Sequence, residues 1–312
     1  MSRAFVFPGQ GAQTIGMGQA LAEAYPAARD VFDEVDAALG EKLSDLMWAG
    51  DPDTLTLTEN AQPALMATSL AALRALQSEG VSIEHATFVA GHSLGEYSAL
   101  AAAGALDVAD AARLLRVRGK AMQAAVPVGE GGMAAILGLT LDEVNTVAEE
   151  AAEGEVCVAA NDNDPAQVVV SGSIEAVARA TEIAKANGAK RALMLPVSAP
   201  FHCELMAPAA EAMAQALAKV DIGRPVVPLV ANVLAHDVSD PGTIRSLLVE
   251  QVTHKVRWRE SVAWMVDQGV TTFWEIGSGK ALSGMIRRID RDSATRAIGA
   301  PEDVAAAVEE LN

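Results

Sequence analysis

The chain has 312 residues, 51% of them hydrophobic and 21% charged, and its formal net charge is −18. This length and apolar content predict a globular protein with a large core, divided into one or two domains. The acidic excess disfavours binding to nucleic acid or to an anionic membrane surface, and no uncharged apolar run reaches the ~18 residues of a membrane-spanning helix.

The cysteines and the N-terminal residues bear on the cellular compartment. The apolar run Ala4–Phe7 is too short for a signal peptide, and the chain has no C-x-x-C pair. We therefore expect a cytoplasmic protein with two reduced thiols, Cys157 and Cys203. Cys203 follows a histidine, so it is either a nucleophile or a small buried apolar residue.

The N-terminal part of the chain predicts a strand, a glycine-rich loop and two helices. The strand is Ala4–Phe7, and the loop spans residues 8–18. The loop has Thr14 where a G-x-G-x-x-G dinucleotide site needs its third glycine, and it lacks the G-K-[ST] of a P-loop. Its glycines instead allow backbone N–H groups, such as that of Gln10, to approach a ligand oxygen. The helices are predicted at about 18–39 and 63–79.

A strand–turn–helix unit follows. Phe88–Ala90 suits a buried strand, and an Ala-rich helix is predicted over Tyr97–Ala103. Between them, Gly91–Gly95 is a G-x-S-x-G nucleophile elbow, in which Ser93 projects at a helix N-terminus that favours developing negative charge. The next predicted helix, at about 109–126, carries four cations, at least three of which are expected on a solvated face: Arg113, Arg116, Arg118 and Lys120.

Residues 128–197 have a separate pattern of predicted strands and helices. Strands are predicted at 133–137, 156–160, 167–171 and 192–197, and helices at 140–153 and 174–187. Thr140 and Glu143 form a capping box that opens the first helix, and Gly188 ends the second. This βαββαβ order predicts a ferredoxin-like domain inserted into a larger one.

The larger domain resumes at residue 198. Helices are predicted at 204–219 and 244–252 and up to about 268, and strands at 226–233 and 271–276; a helix, a short strand near 297 and a terminal helix follow. We predict an α/β fold. A hydrolase-like domain with a mostly parallel sheet comprises residues 1–127 and 198–312, and the inserted ferredoxin-like domain comprises residues 128–197.

A serine nucleophile needs a positioned base, and the chain offers five histidines. His85 and His236 are expected at the surface. His92 adjoins Ser93 on a sharp turn where neighbours point apart, which favours a packing role. His202, between a strand end and a helix, is the best candidate for the base, although a satisfied core histidine fits its position equally well. No acidic residue occupies a clear strand end just before it, so a carbonyl could orient the base instead of an aspartate.

Six motifs, in order along nearly the whole chain, resemble those of the malonyl-CoA:acyl carrier protein transacylases of bacterial fatty-acid synthesis. They are Phe7-Pro-Gly-Gln-Gly11, Gly91-His-Ser-Leu-Gly-Glu-Tyr97, Arg116-Val-Arg-Gly-Lys-Ala-Met122, Ala160-Asn-Asp-Asn163, Ser198-Ala-Pro-Phe-His202 and Val256-Arg-Trp258. The fold of that family is a hydrolase-like α/β domain with a ferredoxin-like insertion, which agrees with the element order above.

The resemblance implies roles for matching residues. Ser93 would carry the malonyl group as an ester, and His202 would be its general base and acid. Arg118 would bind the free malonyl carboxylate, which a planar guanidinium matches. The backbone N–H groups of Gln10 and Leu94 would form the oxyanion hole. Gln251 would orient His202 through its carbonyl.

Further residues are implied as candidates for the pocket: His92, Asn161 and Phe201. The Phe201 ring would exclude an α-methyl branch on the acyl group, unless it is a core aromatic. Two residues depart from the family pattern. Lys255 replaces a common proline, which could shift the loop near Gln251, and Asp162 replaces a bulky apolar residue, which could alter the mouth of the site.

The resemblance implies transfer of malonyl from malonyl-CoA to the phosphopantetheine thiol of acyl carrier protein, with CoA as a substrate and no metal or redox cofactor. Two alternatives are a serine thioesterase of the same fold and a non-catalytic scaffold that binds the carrier. An acidic carrier would need a basic docking patch, for which the pairs Lys190–Arg191 and Arg287–Arg288 are candidates; ordinary surface charges are the competing interpretation.

Overall fold

Two β-sheets organise the protein, which is described here by a computed structural model covering residues 2–197 and 199–311. The strands are β1 (Ser2–Phe7), β2 (Phe88–Gly91), β3 (Gly131–Leu137), β4 (Cys157–Asp164), β5 (Gln167–Ser173), β6 (Arg191–Met194), β7 (Leu229–Val230), β8 (Asp237–Val238), β9 (Val270–Ile276) and β10 (Ala294–Ile298).

The helices surround these sheets. They are α1 (Gln19–Ala24), α2 (Pro26–Leu39), α3 (Leu43–Ala49), α4 (Pro52–Thr56), α5 (Thr58–Ser78), α6 (Gly95–Ala102), α7 (Val108–Ala125), α8 (Leu141–Ala152), α9 (Ile174–Ala186), α10 (Ala207–Leu217), α11 (Pro241–Glu250), α12 (Trp258–Asp267), α13 (Ala281–Ile289) and α14 (Pro301–Leu311). Short 3₁₀ turns lie at Ile83–His85 and Glu204–Met206. Within the described part of the chain, no helix combines the length and the hydropathy needed to cross a bilayer.

The larger sheet has the strand order β10-β9-β1-β2-β7-β8, and all its pairs are parallel except β7–β8. Alternate residues of β1 enter different cores. Phe5 and Phe7 pack in the cluster formed with α2, α5 and α7, whereas Ala4 and Val6 pack in the cluster formed with α12 and α13. Both faces of the sheet are therefore covered by helices, as parallel sheets require. The predicted α/β class with a mostly parallel sheet is confirmed.

The smaller sheet has the order β4-β5-β3-β6, and all its pairs are antiparallel. Helices α8 and α9 cover one face and form a separate apolar cluster with it. The chain order β3-α8-β4-β5-α9-β6 is the predicted βαββαβ unit. The Thr140–Glu143 capping box is present, with the Thr140 N–H donating to the Glu143 carboxylate at 2.7 Å. The boundaries of the inserted domain at residues 128 and 197 stay a prediction, and Ser198, Met1 and Asn312 lie outside the described residues.

Several predicted elements differ from those observed. The helix expected at 18–39 is broken into α1 and α2 at Pro26, because proline cannot supply the N–H that would continue α1. The sequence predicts that α5 begins at Pro63, whereas the helix begins at Thr58 and includes Pro63. The strand expected at 226–233 has only two residues in the sheet, Leu229–Val230. Helices α3 and α4 were not predicted.

Candidate active site

The site begins where two neighbouring parallel strands end. Phe7 of β1 pairs with Gly91 of β2, so the glycine-rich loop after β1 and the elbow after β2 emerge at the same edge of the sheet. The two segments touch, because a Cβ added to Gly9 would lie 2.7 Å from the His92 carbonyl oxygen. The elbow itself requires glycine at both ends: a Cβ on Gly91 would lie 1.9 Å from the Gly95 backbone, and one on Gly95 would lie 2.3 Å from the Phe7 carbonyl oxygen.

Ser93 and His202 face each other across this edge. The Oγ of Ser93 lies 2.8 Å from Nε2 of His202, and Nδ1 of His202 lies 2.8 Å from the carbonyl oxygen of Gln251. A carbonyl only accepts hydrogen bonds, so Nδ1 carries the proton and Nε2 is left to accept the Ser93 hydroxyl proton. Both Ser93 and His202 have left-handed backbones, with φ of 53° and 60°, a strained conformation for such residues that often occurs at functional sites.

The electrostatic environment keeps this histidine neutral. His202 is buried, and its pKa falls to about 3, first through burial and then through the nearby Arg118 cation. A neutral imidazole at physiological pH can accept a proton, which is the state a general base needs.

Arg118 lies beside the nucleophile and lines a cavity, and only 1% of its surface is exposed. Its Nη2 donates to Ser93 Oγ at 3.1 Å and to Gln251 Oε1 at 2.8 Å, and its Nη1 donates to Gln62 Oε1 at 2.8 Å. Its Nε is buried and has no hydrogen-bond partner among the described residues. Because Arg118 is a buried cation that lines the cavity, its guanidinium is suited to receive an anionic ligand there.

The cavity beside Ser93 measures about 360 Å³, a volume within the range of small-molecule sites. It brings together the loops that follow β1 and β2 and the strands β3, β4 and β5 of the smaller sheet, and all the candidate pocket and oxyanion-hole residues line it: Gln10, His92, Leu94, Asn161 and Phe201. The side chain of Gln10 accepts from the Thr58 hydroxyl at 2.9 Å, and Leu94 is the N-cap residue of α6.

His92 is a packing and hydrogen-bonding residue at the cavity wall. Its Nε2 lies 2.8 Å from Asn163 Oδ1, its ring centroid lies 5.8 Å from that of Trp258, and burial lowers its pKa. It therefore connects the elbow to β4 of the inserted domain. Asn163 was not singled out from the sequence, which predicts that this strand ends at Ala160, whereas β4 continues to Asp164.

Two further buried residues were missed. Asn232 accepts from the Ser93 backbone N–H at 2.8 Å through Oδ1 and donates to the Gly91 carbonyl at 2.7 Å through Nδ2. Glu96 accepts from Gln251 Nε2. The sequence contains a signal that could have identified both, because each is a single polar residue among apolar neighbours. Asn232 follows Pro-Leu-Val-Ala, and Glu96 opens an Ala-rich helix.

The expectation for Asp162 is wrong. Asp162 is fully buried and does not line the cavity; instead its carboxylate accepts from Arg259 Nε, at 3.0 Å to each oxygen, where β4 meets α12. The backbone is paired at the same place, because Asp162 N–H donates to the Val256 carbonyl at 2.9 Å. Lys255 has not displaced Gln251, whose carbonyl still contacts His202.

The basic pairs have different surroundings. Arg288 contacts the buried Asp164 carboxylate at 2.7 Å, and Arg287 donates to the Thr295 hydroxyl at 2.7 Å. Arg288 thus belongs to the junction between β4 and α13. Lys190 and Arg191 are both exposed. Cys157 and Cys203 are buried free thiols, and the Cys203 Sγ donates to the Pro200 carbonyl.

Known proteins resemble this chain over nearly its whole length. Residues 4–297 match the acyl transferase domain family. The malonyl CoA-acyl carrier protein transacylase of Bacillus subtilis is 48% identical over 99% of this chain and 96% of its own length. The acyl-carrier-protein S-malonyltransferase structure from Bartonella henselae is 55% identical, with a TM-score of 0.98 over 100% of this chain and 99% of that one.

A third relative was solved with a partner. It is a malonyl-transacylase in complex with its type II PKS acyl-carrier protein, 42% identical, with a TM-score of 0.97 over 99% of this chain and 100% of that one. Sequence and fold thus agree over nearly the full length, and the chain belongs to the acyl transferase domain family, among the malonyl CoA-acyl carrier protein transacylases.

Proposed function

We propose that this protein transfers the malonyl group of malonyl-CoA to the phosphopantetheine thiol of acyl carrier protein, in fatty-acid synthesis, through an ester on Ser93. One observation carries the proposal: the Ser93 hydroxyl lies 2.8 Å from a neutral histidine nitrogen and 3.1 Å from a buried arginine. The family membership and the relative that binds an acyl-carrier protein support the same reaction.

In the first half-reaction, His202 Nε2 takes the hydroxyl proton of Ser93 as Oγ attacks the thioester carbonyl. The carbonyl oxygen becomes an oxyanion, and the backbone N–H groups of Gln10 and Leu94 are assigned to stabilise it. When the tetrahedral intermediate collapses, the C–S bond breaks and the CoA sulfur takes the proton from His202. The products are free CoA and malonyl-Ser93.

In the second half-reaction, the carrier's thiol gives its proton to His202 and attacks the ester carbonyl. The C–O bond to Ser93 breaks, and Oγ regains the proton from His202, which restores the enzyme. Gln251 supports both steps, because its carbonyl fixes the Nδ1 proton and favours the imidazolium that forms transiently. The reaction calls on no metal or redox cofactor, and we assign it to the cytoplasm.

Acyl selection is assigned to Arg118 and Phe201. The Arg118 guanidinium lines the cavity and would bind the free carboxylate of malonate, which acetate lacks. Phe201 lines the cavity next to the base, and its ring would oppose an α-methyl branch.

Intact-protein mass spectrometry tests the proposal. Wild type incubated with malonyl-CoA should gain the mass of one malonyl group, retain it without carrier, and lose it when holo acyl carrier protein is added. Ser93→Ala should gain nothing. Rapid loss of the adduct without carrier would identify a hydrolase, and the absence of any adduct would refute the proposed function.

A further inference from the structure

A buried carboxylate lies behind the nucleophile and has no part in the reaction above. Glu96 is in the first turn of α6, and only 1% of its surface is exposed. One of its carboxylate oxygens accepts from Gln251 Nε2, and the other accepts from the Asn232 backbone N–H at 3.3 Å. Burying a carboxylate is costly unless its partners compensate for the lost water. Both partners of Glu96 are residues that hold the site together.

Gln251 links Glu96 to the two reacting side chains. Its amide oxygen accepts from Arg118, and its amide nitrogen donates to Glu96 and, at 3.0 Å, to the Ser93 carbonyl. Its backbone carbonyl accepts from His202. The two ends of an amide have nearly the same shape and differ only as acceptor and donor. A cation at the oxygen and an anion at the nitrogen therefore determine which way this amide faces.

Asn232 forms the second link. Its backbone N–H donates to Glu96, and its side chain bonds Ser93 N–H and the Gly91 carbonyl, on either side of the left-handed turn. Glu96 thus contacts both amide residues that brace the elbow. An unfavourable contact at Glu96 would be transmitted to the Ser93 backbone and to Arg118.

We propose that ionised Glu96 is a positioning residue for acyl transfer, which orients the Gln251 amide and Asn232 and balances the charge of Arg118. This inference rests on the proposed function and adds a requirement to it: both carboxylate oxygens must be acceptors. A protonated carboxylic acid would turn an O–H toward a neighbouring N–H donor, and a glutamine at this position would turn an NH₂ group toward one.

The titration of Glu96 has a clear direction. Burial raises its pKa to about 7, against the lowering effects of the Gln251 and Asn232 hydrogen bonds and the Arg118 charge. The titratable and charged groups that act on this buried cluster are Arg118 of α7 and the adjacent Tyr97 phenol, with His202 beyond Gln251 and His92 acting on His202. From β1, β2 and β7, apolar residues of the same core cluster pack toward α6. The pKa of His202 lies near 3, well below the range in which Glu96 gains its proton.

The test is the pH dependence of the acylation half-reaction, measured as malonyl-enzyme formed from malonyl-CoA in single turnovers. This step involves no attacking thiol, so a thiol pKa cannot produce the profile. The wild-type rate should fall about tenfold per pH unit below about pH 7. Glu96→Gln should be slower by about 10- to 100-fold at pH 8, because a buried donor is left without an acceptor, and its rate should not fall further toward pH 5.5.

Asp36→Asn is the matched control. Asp36 is also a buried carboxylate that accepts a backbone N–H, that of Ser44 at 3.0 Å, but it lies in α2 and does not line the cavity. Its variant should keep the wild-type profile. Glu96→Asp retains the charge on a shorter side chain. Its acylation rate should still decrease at low pH, as in wild type, and should exceed that of Glu96→Gln at pH 8.

Two results would overturn the inference. One is a wild-type acylation rate that does not change down to pH 5.5, and the other is a Glu96→Gln enzyme that keeps both the wild-type rate and its decrease at low pH. The wild-type profile decides by itself if the variants do not fold. Failure of the proposed function would look different, because wild type would then form no malonyl-enzyme at any pH.

Discussion

Replacement of Arg118 by alanine should abolish the preference for malonyl-CoA over acetyl-CoA. The guanidinium is buried next to Ser93 and lines the cavity, where it would meet the free carboxylate of a bound malonyl group. Two unit charges 4 Å apart interact by about 4 kcal/mol at an effective dielectric constant of 20. Part of this is offset by removal of the malonyl carboxylate from water, so that a charge-assisted hydrogen bond contributes a net ~1.5–3 kcal/mol.

At 1.4 kcal/mol per factor of ten, this contribution is a discrimination of about 10- to 150-fold. The measurement is kcat/KM for each thioester with saturating carrier. The variant also leaves the amide oxygens of Gln62 and Gln251 without their donor, which should slow both substrates. The ratio of the two values, rather than either value alone, therefore isolates the carboxylate contact.

Arg116→Ala provides the control for the same helix. Arg116 bonds Glu41 and Asn60 and does not line the cavity, so its variant should keep the wild-type ratio. If Arg118→Ala lowers kcat/KM for malonyl-CoA and acetyl-CoA by the same factor, the assignment of Arg118 to the malonyl carboxylate is refuted.

Three other outcomes are expected. Between pH 6.5 and about 3 the unfolded chain binds a proton at His202 that the folded chain does not, so this residue lowers the free energy of unfolding as pH falls, by up to about 1.4 kcal/mol per pH unit. In urea denaturation, His202→Asn should lose less of its free energy of unfolding with falling pH than wild type, and an equal loss per pH unit in the two proteins would contradict the buried neutral state. Asp162→Asn should lower the free energy of unfolding by about 1–2 kcal/mol, because it weakens a charged hydrogen bond to Arg259. An unchanged urea midpoint would count against a stabilising contact between Asp162 and Arg259. Lys190→Glu with Arg191→Glu should raise KM for the carrier but not for malonyl-CoA, and an unchanged carrier KM would remove this docking patch.

Short-range patterns in the sequence were sufficient for much of the fold. The capping box at Thr140, the G-x-S-x-G turn and the alternation of elements in residues 128–197 each depend on neighbours a few positions apart. The elbow could be predicted because backbone contacts at Gly91 and Gly95 exclude any side chain there. Predictions were weakest where a long-range contact decides the outcome, as at Leu229–Val230, where sheet pairing shortens a longer apolar run.

In the candidate site, too, some residues could be predicted from local sequence and others only from long-range contacts. Ser93 could be identified from the G-x-S-x-G motif in its strand–turn–helix setting, and the lack of an acid before His202 left a carbonyl open as the partner of Nδ1. By contrast, only the tertiary structure assigned Asp162 to Arg259, 97 residues away, and Glu96 to Gln251, 155 residues away. A buried polar side chain must find a partner, but its sequence neighbours do not say which one, because that choice is made when distant segments pack together.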